Sequence, residues 1–233
     1  NDMNHLRARL EKSHATNKLI VSEGVFSMDG DTAPIEQLSA LKTQHNAWLM
    51  IDDAHAFGVV GEQGLGSTAG ANKPDILVIT FGKAMASQGA AILARQDIVD
   101  YLLQTSREYT YSTALSPLMA KSALTQLDRL INADAQRHAL QSNIMLFKTL
   151  CAKKSIPVLA SNTPIQPVVL GSSDNALQAQ VALKSRNIWL TAIRPPTVPH
   201  NTARLRVTIT AAHQAEDIEH LVNSLSDVLC LSC

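Results

Sequence analysis

The stretch Asp75-Ile-Leu-Val-Ile-Thr80-Phe-Gly-Lys83 decides the predicted fold of this chain. Its four consecutive large aliphatic residues leave no polar face for water, which predicts a strand buried within a parallel sheet. A lysine one glycine beyond such a strand lies at the sheet edge where open α/β folds have their ligand crevice. Burial there would disfavour the ammonium form and leave the nucleophilic amine that a Schiff base with an aldehyde cofactor requires. The alternative, which an isolated Gly-Lys pair favours, is a solvated lysine in a loop.

A second apolar strand is predicted upstream, in Ala47-Trp-Leu-Met-Ile-Asp52-Asp-Ala-His55. Asp52, at the carboxyl end of this strand, is expected to face the same crevice as Lys83. An aspartate paired with a pyridinium nitrogen keeps that nitrogen protonated, and the protonated ring makes pyridoxal phosphate an electron sink. His55 can contact the same ring only if the strand ends at about residue 53, because strict alternation places Asp52 and His55 on opposite faces.

The Asp52-Asp-Ala-His55 segment has three other interpretations. A metal site would need further ligands at a recognisable spacing, and the sequence around this single histidine does not supply them. The acidic box of a nucleoside triphosphatase would need a Gly-x-x-x-x-Gly-Lys-Ser/Thr loop, which the chain lacks. A salt bridge at a strand end without any chemistry is the commonest outcome for these four residues taken alone.

Six motifs occur in an order and spacing that resemble the α-oxoamine synthases, a family of pyridoxal-phosphate enzymes. They are Ser22-Glu-Gly-Val-Phe-Ser27-Met-Asp-Gly-Asp31, Asp52-Asp-Ala-His55, Thr80-Phe-Gly-Lys83, Tyr111-Ser-Thr113, Arg194-Pro-Pro-Thr197-Val-Pro and Ala203-Arg-Leu-Arg206. The resemblance extends over nearly all 233 residues but matches only the later part of the family's chain. It implies an α/β, pyridoxal-phosphate transferase-like fold of the aspartate aminotransferase type.

The resemblance also implies a function, that of a pyridoxal-phosphate-dependent acyltransferase. Within the family, the sequence of residues 192–213 is most similar to that of members that condense L-alanine with a pimeloyl thioester of CoA or acyl carrier protein, with loss of carbon dioxide. A sibling synthase that uses glycine or another thioester is one alternative, and a truncated, non-catalytic fragment is another. Relatives have an N-terminal portion with a phosphate-binding glycine turn and a ring-stacking histidine. The chain by itself is therefore expected to bind the cofactor weakly or not at all.

Residue roles follow from the same resemblance. The implied catalytic residues are Lys83 and His55; the implied cofactor-binding residues are Ser27, Asp52, His55, Thr80, Lys83 and Thr113; the implied substrate-binding residues are Thr197 and Arg206. In relatives, the segment that contains Thr113 reaches the cofactor phosphate of a neighbouring subunit, and a homodimer is expected. Without the resemblance, Ser27, Thr80 and Thr197 are typical of ordinary turn or strand-end hydroxyls.

Arg206 belongs to a predicted strand in which Arg204 and Arg206 point the same way. A guanidinium offers a bidentate fork that matches a carboxylate and keeps its charge. The resemblance selects Arg206 for the carboxylate of the amino acid, whereas Arg204 is expected to serve the structure.

The remainder of the chain alternates predicted strands and helices. We predict that residues 1–113 are the later part of a cofactor-binding large domain with a mostly parallel sheet. Residues 114–153 form bridging helices, and residues 154–233 form a smaller α+β domain. A short extended link is predicted at 109–113 and a strand at 157–159, and another strand is predicted to begin at Trp189.

Composition excludes several classes of function. The twenty basic and twenty acidic residues balance and are scattered along the chain. The sequence therefore shows no basic surface that would attract nucleic acid or an anionic membrane. Aromatic residues, at 4%, are too few for a base-stacking platform. No segment approaches the roughly 18 apolar residues of a membrane span, so a cytoplasmic protein is expected. The odd count of three cysteines argues against a disulfide framework, and Cys230-Leu-Ser-Cys233 lacks a second ligand pair for zinc.

Overall fold

The computed structural model describes residues 1–70 and 73–230, and the chain divides into two compact units. The first unit comprises Asn1–Phe26 and Thr32–Asp134. The second comprises the short segment Ser27–Asp31 and the chain from Ala135 onward. The division of the sequence into a large domain, bridging helices and a small domain stays a prediction. The interpretation of the terminal Cys-x-x-Cys depends on Cys233, which lies outside the described residues.

The first unit is built on a four-stranded sheet in the order β1-β2-β3-β4. Its strands are β1 (Leu19–Glu23), β2 (Trp48–Asp52), β3 (Ile76–Thr80) and β4 (Ala90–Ala94). The first three strands are parallel and β4 is antiparallel to β3, which confirms the predicted, mostly parallel sheet. The register places Glu23 beside Asp52 and Asp52 beside Val78, so the polar ends of the parallel strands lie along one edge.

Helices flank this sheet as the apolar periodicity predicts. They are α1 (Met3–Lys12), α2 (Ile35–Gln44), α3 (Gln96–Thr105), α4 (Arg107–Thr110) and α5 (Pro117–Ile131), with a 3-10 turn at Glu62–Gly64. Leu38 and Leu41 of α2 pack with Leu49 and Ile51 of β2 in a buried cluster. The extended link predicted at 109–113 is wrong in its first half. The chain continues as α4 through Thr110, where the backbone amide of Thr110 donates to the Ser106 carbonyl.

The second unit contains an antiparallel sheet in the order β5-β7-β6, and the helix Ser173–Lys184 packs on it. The elements are α6 (Asp134–Lys153), β5 (Ile165–Gly171), α7 (Ser173–Lys184), β6 (Thr191–Ile193), β7 (Ala203–Thr208) and α8 (Ala215–Cys230). The predicted strand at 157–159 is wrong, because only an isolated bridge joins Val158 to Val168. The predicted strand at Trp189 begins two residues later. Within residues 1–70 and 73–230, the structure holds no helix that is long and apolar enough to cross a bilayer.

Candidate functional site

Asp52 marks the end of β2, and the chain turns immediately after it. Its Oδ1 atom accepts a hydrogen bond from the backbone amide of Ala54 at 2.9 Å, which stabilises the turn. His55 therefore lies outside the strand, as its predicted role requires. Both Asp52 and His55 are half-buried in the first unit.

Asp53 is fully buried beneath the glycine-rich loop that follows. The backbone amide of Ser67 donates to its Oδ2 at 2.9 Å, and the Ser67 hydroxyl donates to its Oδ1. Burial raises the pKa of the Asp53 carboxyl, and the two hydrogen bonds from Ser67 oppose this shift. A Cβ atom at Gly24 or Gly66 would collide with the same carboxylate. Asp53 therefore fixes the loop to the end of β2, a role that the sequence alone did not reveal.

Four glycines give this loop its path between residues 58 and 66. Gly58, Gly61, Gly64 and Gly66 have φ angles of 85°, 80°, 73° and 93°, a left-handed region that favours glycine. These glycines allow the chain to turn back here. The consequence is that Ser67 returns to within hydrogen-bonding distance of Asp53.

Lys83 lies on the turn that connects β3 to β4. Its Nζ atom donates to the Oγ1 atom of Thr80 at 3.3 Å. The turn is held by the neighbouring Met85, which is buried against Ala123 and Leu130 of α5. Lys83 itself is exposed, so the expectation that this lysine is buried at the sheet edge is wrong. The packing of the turn, and not burial of the amine, determines where Lys83 lies.

The residues of the first unit meet at one edge of its sheet. β2 and β3 are parallel neighbours, and adjacent strands lie about 4.8 Å apart, so Asp52 and Thr80 end on the same side. Pyridoxal phosphate needs a carboxylate for its ring nitrogen and a primary amine for its aldehyde, and an imidazole and a hydroxyl can hydrogen-bond to it. These four side chains therefore fit that cofactor. Thr113 lies in the exposed segment between α4 and α5.

Arg206 and Ser27 belong to the second unit and contact each other there. The Nε atom of Arg206 donates to the Ser27 carbonyl at 2.7 Å, and its Nη1 atom donates to the Thr208 hydroxyl at 3.3 Å. Burial lowers the pKa of the Arg206 guanidinium. An arginine stays protonated in proteins, so Arg206 keeps its positive charge. Sequence reasoning assigned Ser27 and Arg206 to different ligands and did not predict this contact.

Arg204 and Thr197 are the two other residues of the second unit that the sequence analysis singled out. Arg204 forms an ion pair with Asp29 and donates from Nε to the Thr202 carbonyl at 2.9 Å, a structural arrangement. Thr197 is exposed in its proline-rich turn, where its backbone amide donates to the Arg194 carbonyl at 3.1 Å. The roles of Thr197 and of the other site residues stay predictions.

Comparison with known proteins gives a consistent family and fold. Residues 1–225 match the family described as aminotransferase class I and II. The chain is 47% identical over 231 residues to 8-amino-7-oxononanoate synthase of Hydrogenovibrio crunogenus, covering 97% of this chain and 58% of that protein. It thus spans somewhat more than half the length of the curated relatives it matches. This identity confirms the resemblance to the α-oxoamine synthases.

Two solved structures have a similar fold. A substituted serine palmitoyltransferase from S. paucimobilis with a bound pyridoxal phosphate–myriocin aldimine is similar with a TM-score of 0.92 and 26% identity, over 97% of this chain and 58% of that chain. The 8-amino-7-oxononanoate synthase from Francisella tularensis is similar with a TM-score of 0.83 and 30% identity, over 97% and 67% of the two chains. These likenesses confirm the predicted pyridoxal-phosphate transferase-like fold.

Proposed function

Because the chain belongs to the aminotransferase class I and II family, we propose that it takes part in a decarboxylating condensation of L-alanine with a pimeloyl thioester that gives 8-amino-7-oxononanoate, a step of biotin biosynthesis. The observation that carries the proposal is the 47% identity to a curated 8-amino-7-oxononanoate synthase. The side chains at the edge of the first sheet agree with it, because they supply the groups that pyridoxal phosphate needs. The thioester is one of CoA or of acyl carrier protein.

The proposed cofactor is pyridoxal phosphate, which would act as an electron sink for the carbanion formed at the α-carbon of the amino acid. The carboxylate of Asp52 would keep a proton at the ring nitrogen. Lys83 would hold the cofactor through Nζ, and the same atom would accept the α-proton when it is free. Thr80 contacts that amine at 3.3 Å and would orient it, and His55 would donate a hydrogen bond to the ring.

The substrate is held by the second unit. Arg206 keeps its charge and offers the N–H groups that its contacts with Ser27 and Thr208 leave available to the carboxylate of L-alanine. A fixed carboxylate orients the α-C–H bond for proton removal, which is the positioning that such a reaction needs. Thr197 contacts the acyl donor and Ser27 contacts the cofactor in this proposal.

We also propose that the protein acts as a homodimer in the cytoplasm. The first unit exposes several large apolar side chains between residues 101 and 124, and we propose that the second copy covers them. They are Tyr101, Tyr109, Tyr111, Leu115, Leu118 and Leu124. Thr113 lies within this region, and it would contact the cofactor phosphate bound by the second copy.

A mass measurement tests the role of Lys83. The full-length protein is incubated with pyridoxal phosphate, reduced with borohydride and digested, and the mass of the Lys83 peptide is determined. We expect the cofactor increment on this peptide in the wild type and in Lys73→Ala, an exposed lysine of the same unit, but not in Lys83→Ala. An unmodified Lys83 in the wild type would contradict the proposal and favour a non-catalytic protein.

A sibling synthase is the second candidate, because the serine palmitoyltransferase structure has the higher of the two TM-scores, 0.92 against 0.83. Turnover with alanine, glycine and serine, each offered with pimeloyl-CoA and with palmitoyl-CoA, separates the candidates. Alanine with the pimeloyl thioester is expected to be the preferred pair. A preference for glycine or serine would assign the chain to a sibling activity.

A further inference from the structure

The segment Ser27–Asp31 is held in the second unit by side chains from distant parts of the chain. Arg206 donates to the Ser27 carbonyl at 2.7 Å, and Arg204 forms an ion pair with Asp29. The hydroxyls of Ser161 and Thr163 both donate to the Gly30 carbonyl, at 3.1 and 3.2 Å. The segment is thus held at three residues, through the backbone carbonyls of Ser27 and Gly30 and the carboxylate of Asp29.

The attachment at Gly30 is buried and tightly packed. Ser161 and Thr163 are only 4% and 1% exposed, so the hydrogen bonds that they donate are shielded from water. Gly30 has a φ angle of 69°, in the left-handed region that favours glycine. A Cβ atom there would lie 2.6 Å from the Ser161 hydroxyl and 2.8 Å from that of Thr163. The segment keeps this position only with glycine at residue 30.

The segment in turn fixes the guanidinium of Arg206. The group has five N–H donors in one plane. The Ser27 carbonyl engages the donor on Nε, and the Thr208 hydroxyl accepts from Nη1. Because the guanidinium is planar, these two contacts set the direction in which its remaining donors point. Ser27 contributes through its main chain, so the position of the segment, more than the serine side chain, determines that direction.

We infer that the Ser27–Asp31 segment, held by Ser161 and Thr163 at Gly30, is the positioning element that aims Arg206 at the carboxylate of the amino-acid substrate. This inference rests on the proposed function, in which Arg206 binds that carboxylate. A side chain that is already oriented loses less conformational freedom on binding. Displacing the segment therefore weakens the binding of carboxylate-bearing ligands in particular.

The test compares ligands with and without a carboxylate. Dissociation constants of L-alanine and L-alaninamide are measured by calorimetry in the full-length protein and in Gly30→Ala. We expect the affinity for L-alanine to fall roughly 3- to 10-fold, with little change for the amide. The KM for the amino acid should rise, while the KM for the thioester stays constant. A merely structural role would weaken both ligands and both KM values together.

Gly70→Ala is the matched control, because a Cβ atom at Gly70 would have no heavy atom within 4 Å. It should leave both dissociation constants unchanged. Where Gly30→Ala folds poorly, the double variant Ser161→Ala with Thr163→Val removes the two donors and keeps the glycine, and the same selective loss is expected. Amide hydrogen exchange over residues 27–31 should become faster in either variant.

The outcomes distinguish this inference from the proposed function. Arg206→Lys should reduce the preference for alanine over alaninamide if Arg206 binds the carboxylate. A loss of preference in Arg206→Lys but not in the Gly30 or Ser161/Thr163 variants would overturn the positioning role alone. A wild-type protein that binds both ligands equally, with no effect of Arg206→Lys, would overturn the proposed function and this inference with it.

Discussion

The two sheets of this chain contain similar aliphatic residues but bury them to different degrees. In the first sheet, Val21 and Leu93 are 61% and 48% exposed, whereas in the second sheet Val168 and Leu205 are fully buried. Apolar strand sequences therefore predict that a sheet forms, and they do not determine whether both of its faces are covered. Burial depends on the other elements that pack on each sheet, such as α7 on β5 and β7 in the second unit.

The two sheets also hold their functional side chains differently. Lys83, at the edge of the first sheet, is exposed and donates one hydrogen bond, to Thr80. Arg206, in the second sheet, is held by Ser27 and Thr208. In the proposed mechanism, the group that forms and breaks bonds is the exposed amine, whereas the group that only binds is held by two contacts. This division suits their roles, since a binding group benefits most from being oriented beforehand.

The largest expected effect tests the difference in burial directly. Leu205→Ala should lower the free energy of unfolding by about 2–5 kcal/mol, because it removes buried apolar contacts and leaves a cavity. Leu93→Ala, the same change on an exposed position of the first sheet, should cost less than about 1 kcal/mol. Chemical denaturation of the full-length protein measures both. Equal losses would show that the exposed face of β4 is covered in the folded protein.

A second prediction concerns the polar contact that stabilises the first unit. Ser67→Ala removes the hydroxyl donor of the buried Asp53 and should lower the free energy of unfolding by about 1–3 kcal/mol. Ser112→Ala, at an exposed position of the same unit, is the matched control and should change it by less than about 0.5 kcal/mol. Thermal unfolding measures both variants, and equal stabilities would contradict a stabilising role for the Ser67 hydroxyl.

The stability of the protein should also depend on pH through the buried Asp53 carboxyl. Burial raises the pKa of Asp53 in the folded chain above its ordinary value of 3.8, so the folded state binds this proton more tightly than the unfolded state. The resulting stabilisation is complete below pH 3.8 and is lost as the pH rises through the raised pKa. The stability of the wild type relative to Asp53→Asn should therefore decrease over this pH range. Thermal unfolding at a series of pH values measures it, and a constant difference would contradict the expectation.

The smallest effect is expected where the two units should behave alike. The ion pairs Arg95–Asp97 and Arg186–Asp227 both have N–O distances of 2.8 Å, and their carboxylate side chains are 65% and 64% exposed. Exposed ion pairs contribute about 0–1 kcal/mol because water and salt screen them. Asp97→Ala and Asp227→Ala should each lower the free energy of unfolding by less than about 1 kcal/mol. Denaturation measures both losses. A larger loss for one variant would show that the surface ion pairs of the two units differ in their contribution to stability.

Several predictions from sequence agree with the structure because their signals are local. The strands ending at Asp52 and Thr80 were predicted from apolar runs of adjacent residues, and both are present. The signal for the start of α5 is equally local, because the Ser116 hydroxyl accepts from the backbone amide of Met119 at 3.3 Å. The wrong predictions are the first half of the link at 109–113, the strand at 157–159 and the burial of Lys83, and each depends on what packs around the residues concerned.

The sequence by itself determined the elements, their order and the residue types at the end of each strand, because hydrophobic periodicity and capping act between neighbours in the chain. Only the tertiary structure decided that Ser67 returns to Asp53, that Ser27 orients Arg206 across 179 residues, and that Gly30 meets Ser161 across 131. The physical reason is that a buried polar group needs a partner with fitting geometry. That partner is chosen by where the folded chain brings distant segments together.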